Sequence, residues 1–139
     1  MTNTVRRHSA PGAKRCAFTG YRPQKMPFGF NESDPRCVDF KRRVKETIQA
    51  LYDMGYRHFI SGGALGMDMF AAEAVLELRA RHPDMILEMV SPFDDQAARW
   101  SPELRARHDR LFAQADITTA TGHAYTRSAM FRRNHYLVD

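Results

Sequence analysis

Cysteine is scarce in these 139 residues, with only Cys16 and Cys37, and neither has a partner at a metal-ligand or redox-motif spacing. A disulfide scaffold and a cysteine-built zinc site are thereby set aside, and a reduced, cytoplasmic chain is the simplest reading. No apolar run reaches the roughly 18 residues that a membrane span requires. Residues 1–15 carry Arg6, Arg7, Lys14 and Arg15 but no apolar stretch of the kind a secretory signal needs, so they read as a flexible basic arm. Internal repeats, low-complexity tracts and linker-like segments are not evident, which leaves one domain over residues 16–139.

What remains is ordinary for a folded domain: 43% hydrophobic and 27% charged residues, in a chain close to the commonest domain size. The 21 Lys and Arg against 16 Asp and Glu give a formal charge of +5, which favours polyanionic partners without naming one.

Strand-like and helix-like segments alternate. Cys16-Ala17-Phe18-Thr19 is a short apolar run ending at Gly20. Residues 21–35 are punctuated by Pro23, Pro27, Gly29, Asn31, Ser33 and Pro35, and a loop this long in a small domain is usually functional or mobile. From Val38 to Met54 the positions Phe40, Val44, Ile48 and Leu51 fall at helical spacing, with Gly55 as the stop. His58 to Ser61 reads as a strand, followed by a largely apolar helix opened by Gly62, Gly63 and Gly66 and running to about Arg81. Met85 to Val90 is a third strand. Ser101 as N-cap with Pro102 behind it starts a helix carrying Leu104, Leu111 and Phe112. Asp116 to Ala120 is strand-prone, and Ala124 to Leu137 looks helical. The predicted fold class is α/β: a Rossmann-like three-layer sandwich with a mainly parallel sheet of about four strands.

In such sheets ligands gather at the carboxyl ends of the strands. Two segments meet that description, Thr19-Gly20-Tyr21-Arg22 and Ser61-Gly62-Gly63-Ala64-Leu65-Gly66-Met67-Asp68. Glycines at 62, 63 and 66 let an anion approach main-chain N–H groups at the positive end of the next helix, with Arg22 as a phosphate fork and Thr19 or Ser61 as hydroxyl donors. No Lys-Ser or Lys-Thr follows the last glycine, so this is not a P-loop, and the spacing misses the dinucleotide fingerprint. The bland alternative, that the glycines merely permit a tight turn, is nearly as good on the motif alone. Asp68 in the first turn suits the helix dipole with no further role, or else accepts from a ribose hydroxyl or anchors Arg22. His108, on an apolar face with Leu104 and Leu111, reads as a packed histidine. Trp100 with Phe93 reads as core filling or a cover for the site. No nucleophile, base and orienter set and no metal cluster stands out.

Taken together, Thr19-Gly20-Tyr21-Arg22-Pro23, the Ser61–Asp68 segment and Arg133-Asn134-His135-Tyr136-Leu137-Val138-Asp139 resemble the bacterial YpsA and YoqJ family of the SLOG superfamily. That superfamily also holds the DNA-processing protein DprA and the LOG phosphoribohydrolases. The resemblance covers residues 16–139 and implies a Rossmann-like fold with a nucleotide-type site at the first two motifs, to which Arg133 and Asn134 contribute. The family pattern normally continues into another strand and a Gly-Gly-Thr loop. Here the sequence stops at Asp139, so the pocket is expected to be open on one side or completed by a second subunit, and the exposed sheet edge favours a homo-oligomer. The LOG hydrolase segment Pro-Gly-Gly-x-Gly-Thr-x-x-Glu has no counterpart, so that activity does not transfer.

Three functions follow in order. The first is non-catalytic binding or sensing of a nucleotide or ADP-ribose-like ligand. The second is nucleic-acid binding in the manner of DprA through the basic arm and Lys41, Arg42, Arg43 and Lys45. The third is a nucleotide-processing hydrolase with Asp68 as acid or base, which one carboxylate supports weakly.

Overall fold

The computed structural model describes residues 2–18, 20, 23, 26–91 and 97–120. Its elements, in chain order, are β1 (Thr2–Val5), β2 (Lys14–Phe18), α1 (Pro35–Asp53), β3 (Tyr56–Ser61), α2 (Met67–Arg79), β4 (Ile86–Ser91), α3 (Pro102–Gln114) and β5 (Ile117–Ala120). They form a Rossmann-like α/β sandwich on a five-stranded sheet of order β1-β5-β4-β3-β2. Strands β2 to β5 run parallel, each joined to the next by one helix, and β1 alone is antiparallel.

The helix starts follow from side-chain chemistry. Asp34 caps α1 by accepting from the Arg36 N–H at 2.8 Å, with Pro35 supplying a helical φ at the first position. Ser101 caps α3 by accepting from the Leu104 N–H, with Pro102 behind it, as its sequence predicts. Helix α1 begins three residues before the predicted Val38, because Asp34-Pro35 is itself a start signal. The Arg36 guanidinium beside Asp34 and its N–H hold that carboxyl down at about 2.

One core lies between the three described helices and one face of the sheet. Val44 and Ile48 of α1, Met69, Ala72, Val75 and Leu78 of α2, and Leu111 of α3 pack on Phe18, Phe59, Leu87 and Met89. The opposite face of β3 and β4 presents His58, Ile60, Ile86, Glu88 and Val90, and these are buried too, as in parallel strands covered on both faces. The segment predicted as the last helix, residues 124–137, lies outside the described residues.

Residues 2–5 belong to the stretch that reads as a flexible arm, yet they form β1, pairing Thr2 to Val5 with Ala120 to Ile117. This is the strand beyond the four predicted. Two of the arm's cations, Arg6 and Arg7, are bound to the domain. Arg6 reaches the carbonyl of Ala115 at 3.0 Å, at the negative end of α3, and the backbone N–H of both Arg6 and Arg7 donate to the Asp116 carbonyl. Buried Asp116 collects the rest, accepting from Arg7 Nη1 at 3.2 Å, Arg79 Nη1 at 2.9 Å and the Leu87 N–H at 2.9 Å.

Candidate functional site

Strand β3 ends at Ser61, and residues 62–66 turn the chain into α2. Two of the turn's glycines have backbone conformations that side chains resist: Gly63 at φ +73°, and Gly66, the residue before α2, at φ +92° and ψ −129°. The turn is also held from within. The Ser61 hydroxyl donates to the Asp68 carbonyl at 2.7 Å and accepts from the Gly63 N–H at 3.3 Å, and the Asp68 carboxylate accepts from the Ala64 N–H at 3.3 Å. Ser61 and Asp68, both buried, thus close the loop, and Gly62, Gly63, Ala64 and Gly66 are buried with them.

Gly20, just past β2, comes against the first residue of α2. A Cβ built on Gly20 would sit 2.5 Å from Met67 Cγ and 2.6 Å from Met67 Cβ. The two glycine-bearing segments therefore meet at the carboxyl ends of neighbouring parallel strands, where open α/β sheets hold their ligands. The structure thus brings together Gly20, Ser61, Gly62, Gly63, Gly66 and Asp68. Thr19, Arg22, Arg133 and Asn134 lie outside the described residues, as does Phe93.

The second part of the loop after β2 is built from successive turns, with Met26 N–H on the Pro23 carbonyl, Gly29 on Met26, Asn31 on Phe28 and Asp34 on Asn31. Phe28 packs with Cys37 of α1 and Phe70 of α2, with Met26 and Phe40 alongside, in a small apolar cluster separate from the main core.

Beside Arg36 on Asp34, the four other basic residues of α1 also have acidic partners. Lys41 pairs with Glu32, Arg42 with Asp39 and Glu46, Arg43 with Asp39, and Lys45 with Glu77. Four cations face four carboxylates, so this is a mixed-charge surface and not a basic stripe of the kind that follows a phosphate backbone. The spacing Asp39, Arg42, Arg43 and Glu46 carried that information in the sequence.

His108 is buried, as its apolar neighbours predict, stacked on Phe112 at 4.4 Å and edge-on to Trp100 at 5.3 Å, and desolvation pushes its pKa down. Burial pushes the thiols of Cys16 and Cys37 up, away from thiolate chemistry. Among the described residues no group of His, Cys, Asp and Glu is placed to hold a metal ion, and no helix is long and apolar enough to cross a membrane.

A polar chain on the second sheet face was not foreseen. Asn3 Nδ2 donates to Thr119 Oγ1 at 2.7 Å, Thr119 Oγ1 to Glu88 Oε2 at 3.0 Å, His58 Nε2 lies 2.8 Å from Glu88 Oε1, and His58 Nδ1 lies 3.1 Å from Ser9 Oγ. With Asn3 donating, the Thr119 proton goes to Glu88 and the imidazole N–H points to the same carboxylate. Only strand register unites residues so far apart in sequence.

Comparison with known proteins agrees with this architecture. The family model for YpsA, described as the YspA SLOG family, matches residues 16–139. The UPF0398 protein YpsA of Bacillus subtilis is 28% identical over 128 residues, which are 91% of this chain and 71% of that protein. A UPF0398 protein of Halalkalibacterium halodurans is 31% identical over 128 residues, 91% of this chain and 67% of its own. One from Lacticaseibacillus casei is 32% identical over 111 residues, and there the chain spans 58% of the relative's length. The chain is a member of the YpsA family of SLOG proteins.

Proposed function

We propose that this chain binds a nucleotide or nucleotide-derived phosphate ligand, such as an ADP-ribose-like molecule, and acts as a sensor or binding domain without catalysing a reaction. The observation that carries the reading is the Gly63 and Gly66 turn from β3 into the N-terminus of α2, with Gly20 pressed against Met67 beside it. The turn leads directly into the N-terminus of α2, where the first-turn N–H groups and the helix dipole present partial positive charge to an anion. Because Ser61 and Asp68 close the loop and take up the Gly63 and Ala64 N–H groups, the phosphate falls to the main-chain N–H groups from Leu65 into the first turn of α2. The family pattern assigns Thr19, Arg22, Arg133 and Asn134 to the same ligand, the arginines as phosphate forks. Asp68 is a single carboxylate, and one carboxylate is weak support for acid–base hydrolysis, which favours binding.

Isothermal titration with ATP, ADP-ribose, NAD, AMP and a short single-stranded oligonucleotide, at low and high salt, tests the proposal. Saturable binding of one nucleotide with modest salt dependence supports it. Binding of the oligonucleotide alone, collapsing as salt rises, moves the function to the basic surface.

A further inference from the structure

Helices α2 and α3 and the loop after β2 are tied together by one arginine. Arg107 of α3 grips Glu32 of the loop through Nη1–Oε2 at 2.5 Å and Nη2–Oε1 at 2.9 Å. The same guanidinium grips Glu73 of α2 through Nε–Oε2 at 2.7 Å and Nη2–Oε1 at 2.5 Å. Lys41 of α1 completes the cluster, its Nζ 2.5 Å from Glu32 Oε1. The ring of Phe70 lies beneath both cations, 4.8 Å from Lys41 Nζ and 5.8 Å from Arg107 Cζ. The Arg107 side chain is only 16% exposed, so these pairs are less screened than ordinary surface pairs. Glu32 is partly desolvated, yet hydrogen bonds from Arg107 and Lys41 hold its carboxyl below the usual range.

The cluster is joined to the candidate site through Phe70. That residue sits in the first turn of α2, its N–H on the Gly66 carbonyl at 3.0 Å, and it packs with Phe28 and Met26 of the loop. The beginning of the same loop, Gly20, abuts Met67. The main core between helices and sheet contains no residue from the loop's described part, so releasing the loop leaves that core whole.

We propose that the Glu32–Arg107–Glu73 clamp is a latch that fixes residues 26–34 as one wall of the nucleotide site, making Glu32 and Arg107 positioning residues for ligand binding. This rests on the nucleotide reading above. Arg107 is the keystone: without it Glu32 keeps Lys41 but loses its tie to α2 and α3, whereas without the Glu32 charge the arginine still holds Glu73 but lets go of the loop. The planar fork bonded to two carboxylates also explains why an arginine, and not a lysine, occupies this place.

Hydrogen exchange and calorimetric titration with AMP and ADP-ribose, on the full chain, test the latch in the wild type, Glu32→Gln, Arg107→Gln and Glu32→Asp. Lys45→Gln, which breaks the separate pair with Glu77, is the control. Glu32→Gln and Arg107→Gln are expected to speed exchange in peptides covering residues 26–34 and to weaken binding about tenfold. Glu32→Asp, which keeps the charge, is expected to recover most of that loss, and Lys45→Gln to change neither quantity. Wild-type affinity in both latch variants overturns the positioning role and leaves the nucleotide reading standing, and so does weaker binding with unchanged loop exchange. A wild-type chain that binds no nucleotide overturns both.

Discussion

Replacing Gly20 with alanine puts the meeting of the two glycine-bearing segments to a stability test. The added Cβ would lie 2.5 Å from Met67 Cγ and 2.6 Å from Met67 Cβ. The Cγ can swing away by a rotamer change, but the Cβ is fixed by the backbone of the first residue of α2, so either the helix start or the end of β2 must move by about 1 Å to reach ordinary contact. Overpacking of this kind costs about 1–3 kcal/mol. For a chain of this size each kcal/mol lowers the melting temperature by about 4 °C, so Gly20→Ala is expected to melt about 4–12 °C below wild type. Thermal unfolding followed by circular dichroism measures the drop, and urea unfolding gives the free energy. The cause is identified by pairing it with Met67→Gly, which removes both clashing atoms. The double variant should be more stable than the sum of the two single losses predicts, by about 1 kcal/mol or more. A Gly20→Ala protein as stable as wild type, or strict additivity in the pair, refutes the close approach and with it the claim that these segments form one site.

Other consequences follow from the packing. Asp116→Ala strands the Leu87 N–H and removes the partner of Arg7 and Arg79, and is expected to cost about 3 kcal/mol in urea unfolding, with Asp116→Asn losing less because it keeps one acceptor. The folded pKa of His108 lies below its ordinary value of 6.5, so the unfolded chain binds a proton more readily. Its contribution is whole above pH 6.5 and falls as pH drops towards the folded value, so urea midpoints should decline over that window in wild type and decline less in His108→Phe. Glu88→Ala leaves His58 and Thr119 without their shared acceptor at the centre of the sheet, and accelerated exchange in β1 and β5 should accompany a loss of about 3 kcal/mol.

The parallel core of the fold was legible because each of its parts is written locally. Apolar runs ending in glycine mark β2 and β3, Ser101-Pro102 marks the start of α3, and alternation of strand and helix gives the parallel order. Strand β1 was not legible. Thr2-Asn3-Thr4-Val5 is short and polar, and it becomes a strand only because β5 presents an edge to it. Likewise Arg6 and Arg7 read as free charge, whereas the structure bonds them to the end of α3 and to Asp116. The glycine turn was legible at the level of residue types. Ser61 and Asp68 read as ligand contacts, with a purely structural role open for Asp68, and the bonds both make to the turn itself could be seen only in the structure. Glu32, Arg107 and Glu73 gave no signal, being charged residues spread over three separate segments and joined only by packing.

The proposed site holds a nucleotide phosphate where the glycine turn passes into the first turn of α2. Titration of the wild type and Gly63→Val with whichever nucleotide binds is the measurement of choice, since a β-branched side chain at φ +73° distorts the turn at a cost of about 1–3 kcal/mol. Saturable binding is expected of the wild type and none of a Gly63→Val chain shown to be folded by circular dichroism. Equal affinity in the two proteins contradicts the proposed site and reduces the glycines to turn formers.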